Sequence, residues 1–231
     1  MNVAVIPARG GSKRIPRKNI RAFCGRPILA YPIEAAEASN LFSRIIVSTD
    51  DNEIAEVARA FGAEVPFVRP AALADDHAGT NAVVRHAVAW MADAVQPSDL
   101  VCCLYPTAPF VTPEFLGRGY DLMSDPRWQY AISVTSFAFP IQRALRILPS
   151  GGLSPMTPEF VDTRSQDLEP AFHDAGQFYW GRPRAFLDDL PDYAAHSAPV
   201  VLPRWMVQDI DTEEDWETAE RLYRGRHRTE T

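Results

Sequence analysis

The sequence predicts an α/β protein of three layers, a mainly parallel sheet with helices on both faces. Three observations point there. Short apolar runs rich in Val, Ile and Leu alternate with segments whose apolar residues recur at helical spacing, the pattern of successive βαβ units. At 231 residues, with 46% hydrophobic and 23% charged content, the chain has material for one large core. A basic loop with paired glycines directly follows the first apolar run, as in turns that hold phosphate at a strand end.

Each element has its own signal. Val3-Ala4-Val5-Ile6 reads as a buried first strand. Pro27 to Asn40 reads as a helix with Ile28, Tyr31 and Ala35 on one face, and Arg44 to Ser48 as a strand. Asp51 to Phe61 places Ile54, Val57, Ala58 and Phe61 on one helical stripe, with Gly62 as its stop. Glu64 to Phe67 reads as a short strand. Thr80 is positioned to cap a helix running to Val95. Leu100 to Leu104 reads as a central strand, Pro113 to Ser124 as a helix and Ala131 to Phe137 as a strand.

The rhythm then breaks. Between Ala138 and Phe172 five prolines and a Gly-Gly pair surround one strand-like run, Leu145 to Leu148. Apolar residues persist through this stretch, among them Phe139, Ile141, Leu153 and Phe160, more than a solvated loop carries. One domain spanning 1–231, with an inserted dimerisation arm or lid at about 138–172, is the expectation. Gly176 to Trp180, Ala198 to Leu202 and Val207 to Ile210 return to strand. Thr212 then caps a final helix with Asp215 three residues on, and the tail after Gly225 is expected to fray.

Charge is unevenly placed. No Asp or Glu precedes Glu34, whereas Arg9, Lys13, Arg14, Arg17, Lys18, Arg21 and Arg26 all do. The first 33 residues therefore carry +7 against a chain total of −7. An acidic protein with one basic segment suits a small polyanion better than a nucleic acid, and no basic helix or aromatic RNA-binding signature accompanies the loop. The only two lysines, Lys13 and Lys18, both fall within it. A compact ammonium on a flexible stem can reach several phosphate oxygens in turn, and adjacent glycines let backbone N–H groups approach an anion.

No apolar run nears the roughly 20 residues of a membrane helix. No signal-like segment opens the chain, and Cys24, Cys102 and Cys103 lack metal-ligand spacing. A reducing cytoplasm is the expected location. His77, His86, His196 and His227 show no partner pattern and read as structural or solvated.

Neither G-x-G-x-x-G nor G-x-x-x-x-G-K-[ST] follows the first strand, which argues against dehydrogenase and ATPase readings. Asp209 and Asp211, two apart in Gln208-Asp209-Ile210-Asp211-Thr212, would share one side of a strand. A divalent cation between them would remove their repulsion, and Mg²⁺ favours such oxygen ligands together with phosphates.

Ile6-Pro7-Ala8-Arg9-Gly10-Gly11-Ser12-Lys13, with Pro16, Lys18 and Asn19, resembles the signature of the CMP-sugar synthetases, the cytidylyltransferases of nonulosonic acids. Arg44 to Asp50, Arg69-Pro70, Tyr105 to Pro109 and Asp209 to Thr212 resemble its further motifs in order. Ser12 to Asn19 and Phe172 to Trp180 look most like its pseudaminic acid branch. Sialic acid enzymes usually carry Gln where Tyr105 stands and Asn where Ala175 stands.

The resemblance implies a Rossmann-like nucleotide-binding sheet, Mg²⁺ dependence, a homodimer, and CTP and a nonulosonic acid as substrates. It places Ala8, Arg9, Gly11, Ser12, Lys13, Lys18 and Asn19 around the triphosphate, with Arg69 and Thr80 near the cytidine. It places Asp209 and Asp211 on the metal. Tyr105, Arg164, His173, Gln177 and Tyr179 would lie near the sugar. Arg9, Lys13, Lys18 and Asp211 would carry catalysis, the cations by neutralising pyrophosphate and Asp211 by orienting the attacking hydroxyl or taking its proton. Other readings are a cytidylyltransferase for sialic, legionaminic or deoxy-octulosonic acid, a D-x-D glycosyltransferase, and a silent nucleotide-binding protein. A glycosyltransferase normally carries D-x-D in mid-chain and would leave the basic loop without a triphosphate.

Overall fold

The computed structural model describes residues 1–75, 78–96 and 99–227. β1 (Asn2–Pro7) is apolar and almost wholly buried. The chain then loops to a small hairpin, β2 (Ala22–Phe23) with β3 (Arg26–Pro27). That hairpin occupies the expected start of the first helix, so α1 begins only at Ala30 (Ala30–Ser39). β4 (Arg44–Ser48) and α2 (Asn52–Ala60) follow, the latter capped by the Asp51 carboxylate, which accepts from the Ile54 N–H at 3.0 Å.

The expected strand at Glu64 reduces to two isolated bridges, Ile46 with Glu64 and Thr49 with Val68. α3 (Thr80–Trp90) starts one residue after its cap, Gly79, so Thr80 is the first helical residue rather than the cap. The helix ends five residues short of Val95, which still packs against the core through a turn. β5 (Leu100–Leu104), α4 (Pro113–Leu122) and β6 (Tyr130–Ser136) match their sequence signals.

The inserted stretch carries a two-stranded hairpin, β7 (Leu145–Ile147) with β8 (Leu153–Pro155). β9 (Phe172–Gly181), α5 (Pro183–Leu187), β10 (Ser197–Val201) and α6 (Glu213–His227) complete the chain. Thr212 and Asp215 form the expected reciprocal cap, Asp215 N–H to Thr212 Oγ1 at 3.2 Å and Thr212 N–H to Asp215 Oδ2 at 2.8 Å. α6 runs past Gly225, where fraying was expected.

The sheet order is β10-β6-β9-β5-β1-β4. β1 runs parallel to β4 and β5, and β10 parallel to β6. β9 alone runs antiparallel, against both β5 and β6. Its direction follows from the insertion. A parallel return to the sheet needs a crossover, usually a helix. The stretch from 138 to 171 contains only short turns and the hairpin, so the chain comes straight back.

One face of the sheet is covered by a core that includes Ile33, Ile54, Phe115 and Trp216 from α1, α2, α4 and α6. The other face is covered by Val84, Val88 and Phe186 from α3 and α5. Trp180 is fully buried and stacks on Phe42 at 4.9 Å. Among the described residues no helix is long and apolar enough to cross a membrane.

Val207 to Ile210 forms no strand. It is irregular backbone between a 3₁₀ turn, Arg204–Met206, and α6. Side chains bond carbonyl groups at its two ends in place of a sheet neighbour: Gln177 Nε2 donates to O of Met206, just before it, and Lys18 Nζ donates to Ile210 O at 2.6 Å. Strand alternation therefore does not set Asp209 and Asp211; this cross-linked loop does.

Candidate active site

β1 has β4 on one side and β5 on the other. The chain reverses direction across the sheet here, and at such points α/β sheets open a crevice beyond the strands' carboxyl ends. A cleft of about 550 Å³ lies there. The loop after β1 supplies Arg9, Ser12, Lys13, Arg14, Lys18 and Asn19 to its wall, and the segment after β5 supplies Tyr105, Pro106 and Thr107. Arg69, Ala78, Thr80 and Val83 close the third side.

The loop's shape is fixed by contacts within it and by partners outside the cleft. Ile15 is fully buried and anchors it. The buried Asn19 amide donates to the Arg9 carbonyl at 2.9 Å, and the Gly10 N–H donates to Asp50 Oδ1 at 2.9 Å. Arg17, in a left-handed conformation with φ 56°, reaches Asp51 and Glu53. Its hydrogen bond holds the Asp51 carboxyl below the usual carboxylate range. Gly10 sits where no side chain fits, since a Cβ there would come within 2.8 Å of Asp51 Oδ2 and 2.9 Å of its Cβ. We expect Gly10→Ala to push the loop off α2 and lower kcat/KM for the triphosphate that the sequence resemblance implies by up to roughly 10²-fold. Unchanged kinetics in a folded variant would show that the loop's seat on Asp51 does not matter.

The charges in the wall differ in their freedom. Arg9 donates to the Asp75 carbonyl at 2.7 Å. Arg69 is 4% exposed and spans to the Ser48 hydroxyl and carbonyl. Burial lowers its pKa to about 10, with Asp50 opposing that shift; it stays charged at neutral pH. Lys18 gives its ammonium to Ile210 O and lies 3.4 Å from Asp211 Oδ1. Arg14 lies 2.8 Å from the same oxygen.

Asp209 and Asp211 stand beside this wall rather than in it. Partial burial, and then the Asp211 charge, push the Asp209 carboxyl above its usual range. The two carboxylates are thus close enough to repel. Among the described residues no group of three or more His, Cys, Asp or Glu could hold a metal ion. A pair of hard oxygen donors with no third protein ligand fits Mg²⁺, which completes its shell with water and phosphate. Gly176, at φ 60°, brings the β9 backbone close to this pair; a Cβ there would lie 3.9 Å from Asp209 Oδ1.

The residues expected near a sugar are less well gathered. Tyr105 lines the cleft, and Tyr179 lies under it, ring centroids 6.4 Å apart. Tyr179 is buried and donates to Asn81 Oδ1 at 2.6 Å, and Asn81 in turn donates to Asp192 at 2.8 Å. Gln177 is buried and committed to Met206. His173 is exposed, 2.8 Å from the Asp174 carbonyl oxygen and edge-on to Phe137. Arg164 extends from the insertion, 71% exposed and paired with Asp167 at 2.7 Å. None of these last three borders the cleft in this chain. Ala8 and Gly11 belong to the basic loop without lining the cleft. His86 packs edge-on to Phe67, and His196 lies 2.9 Å from the Pro191 carbonyl oxygen. His77 and the side chain of His227 lie outside the described residues.

Sequence reading passed over Val83, Ala78 and the Asn81–Asp192 link. Val83 sits on α3, where an apolar side chain reads as core. Nothing in spacing joins Asn81 to a residue 111 positions away. Arg14 carried a signal, its place in the basic segment and within the Ser12 to Asn19 motif, but was given no role.

A family model described as cytidylyltransferase matches residues 3–122. A pseudaminic acid cytidylyltransferase of Campylobacter jejuni is 43% identical over 98% of this chain and 97% of its own. The chain belongs to the cytidylyltransferase family. A CMP-N,N'-diacetyllegionaminic acid synthase of Legionella pneumophila is 33% identical to this cytidylyltransferase, over 95% of each chain. Its fold is that of a CMP-2-keto-3-deoxy-manno-octonic acid synthetase solved with CTP, at a TM-score of 0.68 and 19% identity over 97% of this chain and 99% of that one. The cytidylyltransferase is thus a nucleotidyltransferase that uses CTP, and its cluster of basic side chains meets the need to neutralise a polyphosphate.

Proposed function

We propose that the enzyme transfers CMP from CTP to the anomeric hydroxyl of pseudaminic acid, a nonulosonic acid, and releases pyrophosphate. One observation carries the chemistry: five basic side chains, Arg9, Lys13, Arg14, Lys18 and Arg69, line a single cleft at the switch point of the sheet. The choice of sugar is supported by 43% identity to the Campylobacter jejuni enzyme along nearly the whole chain.

In this reading Arg9, Lys13 and Lys18 hold the triphosphate and neutralise the leaving pyrophosphate. Ser12 and Asn19, with the backbone of Ala8 and Gly11, shape the phosphate loop. Arg69 and Thr80 face the cytidine. Such a transfer needs alignment and charge neutralisation more than covalent help. Asp209 and Asp211 would hold Mg²⁺, which when bound would supply positive charge beside the phosphates and lower the pKa of the incoming hydroxyl. Asp211 orients that hydroxyl or takes its proton. Tyr105 and Tyr179 form the floor under the sugar, and Gln177 keeps the 207–211 loop in place from below. Pseudaminic acid labelled with ¹⁸O at the anomeric hydroxyl should yield CMP-sugar carrying the label in the bridging oxygen. Label in pyrophosphate, or no CMP-sugar at all, would refute the transfer.

The domain spans 1–231 and works as a homodimer in a reducing cytoplasm, where its three free cysteines stay reduced. Support for the dimer comes from the insertion at 138–172, whose Phe139, Ile147, Leu153 and Met156 are all at least 60% exposed. A symmetric partner is the commonest cover for such a surface. Arg164 and His173, which do not line this chain's cleft, would then serve the partner's sugar site, Arg164 through a bidentate bond to the sugar carboxylate. Light scattering at micromolar concentration should give twice the chain mass; a fully active monomer would remove this part of the reading.

A further inference from the structure

Arg14 is a cleft residue without a role in the transfer just described. Its backbone is fixed, because the next residue, Ile15, is fully buried. Its guanidinium is not: the side chain is 68% exposed and pairs with Asp211 Oδ1 at 2.8 Å. Lys18 approaches the same oxygen at 3.4 Å, but it is 19% exposed and bound more closely to the Ile210 carbonyl. One carboxylate oxygen thus carries a tethered cation and a mobile one. An exposed ion pair of this kind contributes little to stability, so it exchanges readily for a better partner. A triphosphate is that partner, because its several charges and paired oxygens match the guanidinium fork better than one carboxylate does.

We propose that Arg14 is an exchangeable cation shared between Asp211 and the nucleotide phosphates, so that CTP, by drawing Arg14 away, frees the Asp211 oxygen for a divalent cation. The inference rests on the cleft being the CTP site and on Asp211 facing the metal. A guanidinium and a divalent cation compete for the one oxygen through like-charge repulsion. Nucleotide and metal binding are therefore coupled through this side chain, and the coupling is reciprocal.

The distinguishing result is an opposite effect of one substitution on the two ligands. Mn²⁺ binding is followed by electron paramagnetic resonance without nucleotide, and CTP binding by calorimetry in EDTA. Arg14→Gln should tighten Mn²⁺ roughly threefold to tenfold and weaken CTP by a similar factor, a coupling of ordinary size. Arg14→Lys, which keeps the charge without the fork, should leave Mn²⁺ binding near wild type and weaken CTP only partly. Arg21→Gln removes a nearby charge that pairs with Glu213 instead, and should alter neither ligand. Equal titrations for wild type and Arg14→Gln, or weakening of both ligands together, would overturn the exchange while leaving the cytidylyltransferase reading intact. Failure of the unaltered protein to bind CTP would overturn both.

Discussion

Asp209→Asn and Asp211→Asn should each lower kcat/KM by roughly 10³-fold, because on the proposed reading each removes one of the two carboxylates that would hold a cation worth several kcal/mol to the transition state. Folding should survive. The Asp211 charge repels the Asp209 carboxylate, and an amide oxygen at 209 can still accept from the Ile210 backbone, so Asp209→Asn, at an exposed residue, relieves repulsion at little cost to the fold. Asp211→Asn loses its ion pairs to Arg14 and Lys18, both partly exposed and worth little to the fold. Thermal denaturation should therefore move little while activity collapses, and excess Mn²⁺ should restore part of it. Full activity of either variant, or of the native enzyme in EDTA, would exclude a metal role for the pair.

Lys18→Ala should lower kcat/KM for CTP by roughly 10²-fold or more, a typical loss for one preorganised electrostatic contact to a developing charge. Two effects add. The phosphate contact goes, and so does the 2.6 Å bond that ties Ile210, and with it both aspartates, to the basic loop. Lys18→Arg should keep the charge yet recover little, since a planar fork cannot replace a compact ammonium seated on one carbonyl. Lys13→Ala should show a loss of similar size. Steady-state kinetics at saturating sugar decide the matter; wild-type parameters in Lys18→Ala would remove the lysine from the phosphate site.

Much of the fold was legible because burial and periodicity agree in β1, α2, β5 and α4. Local pattern misled where long-range pairing decides the outcome. Val207 to Ile210 has strand composition but no strand to pair with, and Gln177 and Lys18 instead bond the carbonyls of Met206, just before it, and Ile210. The direction of β9 is written in no residue of β9; it follows from the missing helix in the preceding insertion. The basic wall of the cleft was readable because most of its residues lie close together in the chain. The link that runs from Tyr179 through Asn81 to Asp192 was not, because these residues meet only through tertiary contacts. Arg164 and His173 do not line the cleft, and their sequence context gives no sign of that.

Sugar preference, measured as pyrophosphate release from CTP and Mg²⁺, tests the central claim most directly. Pseudaminic acid and N-acetylneuraminic acid share the carboxylate and the anomeric hydroxyl, so the phosphate machinery treats them alike. They differ in the hydroxyl and amide groups offered to the region around Tyr105 and the Gly176 bend. A site built for one set leaves buried polar groups unpaired with the other, and kcat/KM for pseudaminic acid should exceed that for N-acetylneuraminic acid by at least roughly 10²-fold. Equal kcat/KM for the two sugars would contradict the assignment of the substrate, and no pyrophosphate with any nonulosonic acid would contradict the transfer itself.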